Sequence, residues 1–327
     1  MNQPIEMASP LLSVVVPMYN EAEGIGPFLD RTLPVLRSLG EPFEIVCVND
    51  GSTDATLESL RRAQRHEPAI RIVDLSRNFG KEAALSAGLD HARGAAVVPL
   101  DADLQDPPEL IPEMLAKWRE GYEVVLARRA DRQADGPMKR LTARLFYRVH
   151  NTLADTPIPE DVGDFRLLDR SVLAALGRLP ERRRFMKGLF AWVGFRTCTI
   201  PFVRDARHAG SSKWNWWRLW NLAIEGITSF SSMPLRLWSY VGCGISLLAF
   251  LYAAFTVAKT LILGRDVPGY ASLIVVVLFL GGLQLMTLGL LGEYIGRIYT
   301  EVKGRPIYIL RRVYGNAEGD TPPDATG

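Results

Sequence analysis

The stretch Ala95-Ala96-Val97-Val98-Pro99-Leu100-Asp101-Ala102-Asp103-Leu104-Gln105 decides the fold. Its apolar start reads as a buried strand, and two carboxylates leave the end of that strand with one residue between them. Strand ends next to loops are where open α/β sheets bind ligands. Paired carboxylates there suit a hard divalent cation that also takes phosphate oxygens. Such a cation could hold a nucleoside diphosphate and neutralise it as it leaves. An Asp-x-Asp also fits a plain loop ahead of the helix begun by Pro107-Pro108-Glu109, so the surrounding chain has to decide between the two.

Working outward, the first 130 or so residues alternate strand and helix. Leu12 to Val16 is a β-rich run ending at Pro17, and a helix follows from about Glu21 to Leu39. Phe43 to Val48 is a second strand ending in Asn49-Asp50-Gly51-Ser52, where Ser52, Thr53 or Asp54 can cap a helix reaching about His66. Ile70 to Leu75 is a third strand and Lys81 to Ala92 a third helix, preceded by the breaker Gly80. After Ala95 to Leu100 comes a helix to Arg119 and a fifth strand, Glu123 to Ala127. Strict alternation predicts an α/β domain with a mostly parallel sheet and helices on both faces. Gly24-Ile25-Gly26 is not a dinucleotide fingerprint: it lacks the third glycine and does not directly follow the strand.

The chain has 327 residues, 48% of them hydrophobic, and a mean hydropathy of +0.05. The excess is local. Leu237 to Ala258 and Val267 to Gly292 contain no charged residue, and both exceed the roughly 20 apolar residues that span a bilayer. Two transmembrane helices are expected, at about 237–263 and 268–296. The link Gly264-Arg265-Asp266 is neutral overall, whereas Arg218 and Arg236 precede the first span and Arg297, Lys303, Arg305, Arg311 and Arg312 follow the second. The positive-inside rule then puts both termini in the cytoplasm. Residues Met1 to Pro10 lack a basic start and an apolar core, so no signal peptide is evident.

Cys47, Cys198 and Cys243 form no disulfide framework and no metal spacing, and His66, His91, His150 and His208 are scattered. A net charge of +2 gives nucleic-acid binding no global electrostatic support. Locally, Arg128, Arg129, Arg132, Lys139, Arg140 and Arg144 form a basic stretch before an expected helix at Thr142 to Leu153, and a second runs from Arg182 to Lys187. Five of the seven tryptophans fall between Trp214 and Trp238. Trp216, Trp220, Ala223 and Ile227 share one helical face opposite Arg218 and Glu225, the pattern of an amphipathic helix at a bilayer interface. The expected domains are an N-terminal tail (1–10), a catalytic domain (11–210), the interfacial helix (211–234), the two spans (235–300) and a cytoplasmic tail (301–327).

Val16-Pro17-Met18-Tyr19-Asn20-Glu21, Asn49-Asp50-Gly51-Ser52 and Asp101-Ala102-Asp103-Leu104-Gln105 together resemble family-2 inverting glycosyltransferases of the GT-A fold, in the order and spacing of the dolichol-phosphate mannose synthase group. Arg184-Phe185-Met186-Lys187-Gly188-Leu189, Ala209-Gly210-Ser211-Ser212-Lys213-Trp214-Asn215 and Gly292-Glu293-Tyr294-Ile295-Gly296-Arg297 narrow the resemblance to polyprenyl-phosphate (bactoprenol) glucosyltransferases. The resemblance implies that Pro17, Tyr19 and Glu21 line the nucleobase and ribose pocket and that Asp50 binds the base. It implies that Asp101, Asp103 and Gln105 hold Mg²⁺ or Mn²⁺ against the pyrophosphate. Ala102, Lys187, Arg207, Ser212 and Lys213 complete the implied donor site, Arg128 and Arg140 match acceptor-phosphate positions, and Asp103 and Asp164 are the implied catalytic residues.

The implied reaction moves a sugar from a nucleotide to a membrane polyprenyl phosphate with inversion. UDP-glucose is the expected donor, with UDP-N-acetylglucosamine and GDP-mannose as alternatives. The implied setting is the bacterial cytoplasmic membrane, as a multi-pass homo-oligomer with its catalytic domain in the cytoplasm. The nucleophile would be a phosphate oxygen whose second pKa lies near 6, so a strong general base is unnecessary and Asp164 could orient groups instead. A processive polysaccharide synthase would carry Gln-x-x-Arg-Trp after the catalytic domain, and none of Gln64, Gln105, Gln133 or Gln284 begins that pattern. A nucleotidylyltransferase would need a glycine-rich loop with arginine near the start. An inactive scaffold would be expected to lose the metal carboxylates, and two spans are few for a lipid flippase.

Overall fold

The computed structural model describes residues 10–130, 162–179, 181–182, 184, 186–202 and 269–315, with part of 242–262. The elements are β1 (Leu12–Met18), α1 (Ile25–Ser38), β2 (Phe43–Asn49), α2 (Thr56–His66), β3 (Ile70–Leu75), α3 (Lys81–His91), β4 (Ala96–Pro99), α4 (Ile111–Arg119), β5 (Val124–Arg129), β6 (Val162–Asp169), α5 (Arg170–Gly177), α6 (Met186–Trp192), β7 (Thr197–Phe202), α7 (Tyr270–Val302) and β8 (Leu310–Tyr314). The expected interfacial helix at 211–234, the helix at 142–153, most of the 1–10 tail and the residues Arg140, Arg207, Ser212 and Lys213 lie outside the described residues.

The strands form one eight-stranded sheet in the order β7-β5-β6-β4-β1-β2-β3-β8. β1 pairs in parallel with β2 and β4, β2 with β3, and β5 with β7. β6 runs antiparallel to both β4 and β5, and β8 antiparallel to β3. Side chains alternate between the two faces of a strand. Val14, Val16, Ile45, Cys47, Ile70, Ile72 and Val98 point into one core with Phe28, Leu36, Leu60 and Met114 from α1, α2 and α4. Val15, Val46, Val48, Val73, Leu75 and Val97 point into the other with Leu85, Leu89, Val172 and Leu189 from α3, α5 and α6. This is the expected α/β layering.

α3 packs closest. Residues Ala83 to Leu89 are all buried, and a Cβ on Gly88 would come within 2.2 Å of Val15 Cγ1 and 3.0 Å of Val48 Cγ2. Only glycine lets this helix lie so near β1 and β2. At the N-terminal edge of the sheet, Glu44 takes Ser13 Oγ at 2.6 Å and the backbone N–H of Arg93 at 2.6 Å on one oxygen, and Arg71 at 3.0 Å on the other. Burial works against the Arg71 charge and lowers its pKa, while Glu44 opposes that shift.

The structure departs from the sequence reading in several places. α1 starts at Ile25 rather than Glu21, because Asn20 to Ala22 bond across to the next loop instead. α2 starts at Thr56 with Ala55 before it and no side-chain cap. Asp54 instead receives both the backbone N–H and the hydroxyl of Thr56, at 3.0 and 2.5 Å.

The tail expected at 301–327 is not all tail: β8 adds a strand to the sheet edge, pairing Ile72 with Tyr314 and Val73 with Val313. The helix expected at 268–296 continues to Val302, since Arg297 and Glu301 are good helix formers. It stops where Gly304, at φ +61°, takes the left-handed conformation that closes helix ends. Counted over the residues whose side chains are described, no helix is long and apolar enough to cross a membrane. The fold thus bears out the α/β domain and not, by itself, the two spans expected at 237–263 and 268–296.

Glu44→Ala should destabilise the α/β domain by about 3–5 kcal/mol, because it leaves the buried Arg71 charge unpaired. Denaturant titration of the folded protein measures this, and a loss under about 1 kcal/mol would contradict it.

Candidate active site

In the order β4-β1-β2-β3 the chain moves from β1 out to β3 and then returns to the other side of β1. The crevice between β1 and β4 is therefore the topological switch point, where open α/β sheets bind ligands at the carboxyl ends of the strands. The cleft found there has a volume of about 290 Å³. Pro17, Tyr19 and Glu21 line it from the end of β1, Asp50 from β2, Asn78 from the loop after β3, Gly80, Lys81 and Ala84 from α3, and Asp101, Ala102 and Asp103 from the end of β4.

Two loops are stitched together along one wall. The backbone N–H of Asn20 donates to Ser52 Oγ at 3.0 Å, that of Thr53 to Asn20 Oδ1 at 2.9 Å and that of Glu21 to Thr56 Oγ1 at 2.9 Å. Asn20 sits at φ +55°, a left-handed conformation that asparagine tolerates better than most residues. These bonds fix Tyr19, 40% exposed, as an aromatic platform at the mouth of the cleft.

Asp50 forms the floor. It is 3% exposed, and its two oxygens accept the backbone N–H groups of Phe79 at 2.7 Å and Gly80 at 2.9 Å. The residue implied to bind the base therefore also holds the loop that leads into α3. The open lone pair on each oxygen leaves capacity for a ligand N–H.

The carboxylate pair lies opposite. Asp103 Oδ1 accepts the backbone N–H of Gln105 at 3.1 Å, and Leu104 between them is at φ +56°. This tight turn aims Asp103 at the cleft. Gln105 is not among the lining residues; its Oε1 is buried and makes no hydrogen bond among the described residues. Its visible contribution is the backbone contact to Asp103. Among the described residues, no group of three or more His, Cys, Asp or Glu side chains is arranged to hold a metal. Two carboxylates nevertheless fit Mg²⁺ or Mn²⁺ of the kind completed by substrate phosphates, which need only one or two protein carboxylates.

Lys81 was not singled out in the sequence and is the central cation of the site. Its ammonium lies 2.8 Å from Asp101 Oδ2 and 3.0 Å from Asp164 Oδ2. Burial works against this charge, but the two carboxylates outweigh it and hold the lysine above its ordinary pKa range. The structure thus brings Asp164, on β6, to within one side chain of Asp101. Two residues along the same face, Arg166 is 4% exposed. Its guanidinium lies 4.2 Å from the centre of the Phe190 ring and donates to Gly163 O at 2.6 Å. Burial pushes it down to about 10, with Asp164 and Glu82 opposing. Arg166 was also missed, because a lone arginine in a strand pattern carries no sequence signal.

Arg128 is exposed near the end of β5 and pairs in register with Val162 of β6 and Pro201 of β7. β5 runs antiparallel to β6, as β4 does, so Arg128 projects from the same sheet edge as Asp101. Lys187 belongs to α6, but its side chain is not described.

A mostly parallel α/β sheet with an acidic pair at its switch point is an arrangement that suits a nucleotide ligand with a divalent cation. Residues 13–177 match the model named Glycosyl transferase family 2, and residues 233–298 match the GtrB C-terminal hairpin. The chain belongs to glycosyltransferase family 2. It is 55% identical to the uncharacterized glycosyltransferase sll0501 of Synechocystis sp. over 93% of this chain and 96% of that one. It is 51% identical to the SfII prophage-derived bactoprenol glucosyl transferase of Shigella flexneri, over 92% of this chain and 97% of that one. The solved mannosyltransferase PcManGT from Pyrobaculum calidifontis, in complex with GDP-Man and Mn²⁺, is 21% identical with a TM-score of 0.45, covering 92% of this chain and 90% of that one.

If the cleft holds a nucleoside diphosphate, Asp50→Ala should weaken its binding about 10- to 150-fold, the cost of losing charge-assisted bonds of about 1.5–3 kcal/mol that hold the 79–80 loop. Calorimetric titration with UDP checks this; unchanged affinity would remove Asp50 from the donor site.

Proposed function

We propose that this chain transfers glucose from UDP-glucose to a membrane polyprenyl phosphate with inversion, at the cytoplasmic face of the bacterial inner membrane. The observation that carries the reading is the Asp101 and Asp103 pair at the switch point, facing Asp50 and Tyr19 across one cleft. The 51% identity to a bactoprenol glucosyl transferase supports the choice of sugar and acceptor.

In this reading the base stacks on Tyr19 and meets Asp50, while Pro17 and Glu21 border the ribose. Asp101 and Asp103 would hold Mg²⁺ or Mn²⁺, which supplies neutralisation of the departing diphosphate. The N-terminus of α3 adds positive potential at the same point. Arg207, Ser212, Lys213 and Lys187 are the proposed closing residues over the donor. Arg128 and Arg140 hold the lipid phosphate through charge-assisted bonds. That phosphate is largely ionised at neutral pH, so what the protein must supply is in-line placement, and Asp164 orients the attack.

The membrane part of the reading rests on sequence and backbone together. α7 has 33 residues, a length of about 50 Å at 1.5 Å per residue, and no charged residue between Tyr270 and Gly292. With the run from 237 to 263 it makes a two-span hairpin in this proposal. β8 follows α7 by a short link and pairs with β3, which supports a C-terminus on the same side as the catalytic domain. A Cβ on Gly289, Gly292 or Gly296 would meet no described atom within 4 Å, consistent with a face for a second copy in a homo-oligomer.

Membranes containing the protein, given polyprenyl phosphate and a panel of labelled sugar nucleotides, should form lipid-linked glucose from UDP-glucose. Preferential use of UDP-N-acetylglucosamine or GDP-mannose would replace the sugar assignment. Excess EDTA, or Asp103→Asn, should abolish the product, and full activity in EDTA would remove the metal.

Arg128→Ala should lower efficiency with the lipid acceptor about 10- to 150-fold while leaving UDP-sugar affinity almost unchanged. Arg128→Lys should recover only part of the loss, since it lacks the bidentate fork. A fall in donor affinity instead would move Arg128 to the nucleotide site.

A further inference from the structure

Lys81 touches both carboxylates that the proposed reaction needs, and an ammonium 2.8 Å from Asp101 Oδ2 competes with a divalent cation on Asp101 for the charge of one carboxylate. The lysine is built for exchange. Its backbone is anchored, because it follows Gly80, whose N–H is held by Asp50 at 2.9 Å. Its side chain is 49% exposed along its length, and although the two carboxylates enclose the ammonium, the flexible four-carbon stem lets it swing between them. Its second partner, Asp164 Oδ2 at 3.0 Å, comes from a different strand and remains available when Asp101 is taken.

We propose that Lys81 is an exchangeable counter-cation and a positioning residue. It holds Asp101 and Asp164 together before the donor arrives, and yields Asp101 to the metal that enters with the nucleoside diphosphate. It then stays on Asp164, keeping that carboxylate aimed at the point of attack. The metal thereby binds weakly alone and well only with a diphosphate, whose negative charge offsets the repulsion between metal and ammonium. Donor binding and the placement of Asp164 become one event. This inference rests on the assignment of Asp101 and Asp103 to the metal.

The test uses the full chain in mild detergent, with Mn²⁺ binding read by electron paramagnetic resonance with and without UDP, and turnover measured separately. Without UDP, Lys81→Gln and Lys81→Met should bind Mn²⁺ at least about tenfold more tightly than the parent, because the competing cation is gone. Lys81→Arg should keep the parent's weak binding. At saturating UDP-sugar and Mn²⁺, Lys81→Gln should lose about 10²-fold in kcat, as misplaced catalytic groups do, with little change in KM for the donor. Lys81→Arg should restore part of that kcat.

Unchanged or weaker Mn²⁺ binding in the neutral variants overturns the exchange, and tighter binding with normal kcat overturns the positioning of Asp164. Should Lys81→Met fail to fold, Lys81→Gln and Lys81→Arg decide the matter by the sign of their Mn²⁺ affinities. If the parent binds no Mn²⁺ even with UDP, or Asp103→Asn binds it as well as the parent, the metal assignment itself fails and this inference falls with it. That failure is read apart from the first, in which the parent binds Mn²⁺ and only the lysine variants are silent.

Discussion

The central strands β1 to β4 are covered on both faces, and that constraint places their charged groups. β1 to β4 carry side chains into two separate cores, so charged groups can sit only where the strands end. The two edges of the sheet solve this differently. At the N-terminal edge Glu44, Arg71 and Ser13 satisfy one another in near-complete burial, which serves stability. At the C-terminal edge Asp50, Asp101, Asp103 and Lys81 face a cleft that solvent and ligand can reach, which serves binding.

Within that cleft the charges are tied to backbone as much as to each other. Asp50 grips the two amides that introduce α3, and α3 in turn delivers Lys81. Gly88 lets the same helix settle against Val15 and Val48. The position of one ammonium thus depends on a carboxylate on β2 and on the missing side chain two turns further along α3. Arg166 braces the opposite side, stacked on Phe190 and bonded to Gly163, so that Asp164 is presented from a supported strand rather than a free loop.

The C-terminal segment links the long helix back to this framework. Glu301, one residue before the end of α7, accepts the backbone N–H of Arg182 at 2.9 and 3.1 Å. Tyr308 donates its hydroxyl to Asp90 at 2.9 Å, and β8 then pairs with β3. The arginines of Arg61 and Arg312 lie 5.1 and 5.3 Å from the centre of the Tyr314 ring. Among the described residues, these contacts join the end of α7 and β8 to the domain, with β8 at the sheet edge away from the switch point.

The amino-acid sequence alone determined the α/β class, the strands β1 to β5 to within a few residues, and the acidic pair that lines the candidate cleft. It could do so because doubly buried strands are continuous apolar runs, and Asp101-Ala102-Asp103 follows one directly. Tertiary structure decided the rest. Leu310-Arg311-Arg312-Val313-Tyr314 is too short and too charged to read as a strand until β3 offers it an edge. Gln105 lies next to the acidic pair in sequence, and the turn at Leu104, at φ +56°, brings its backbone N–H onto Asp103. Lys81 and Asp164 are 83 residues apart, counted from their positions, and no local pattern links them. They meet because β6 inserts antiparallel beside β4, a pairing set by long-range packing rather than by any spacing along the chain.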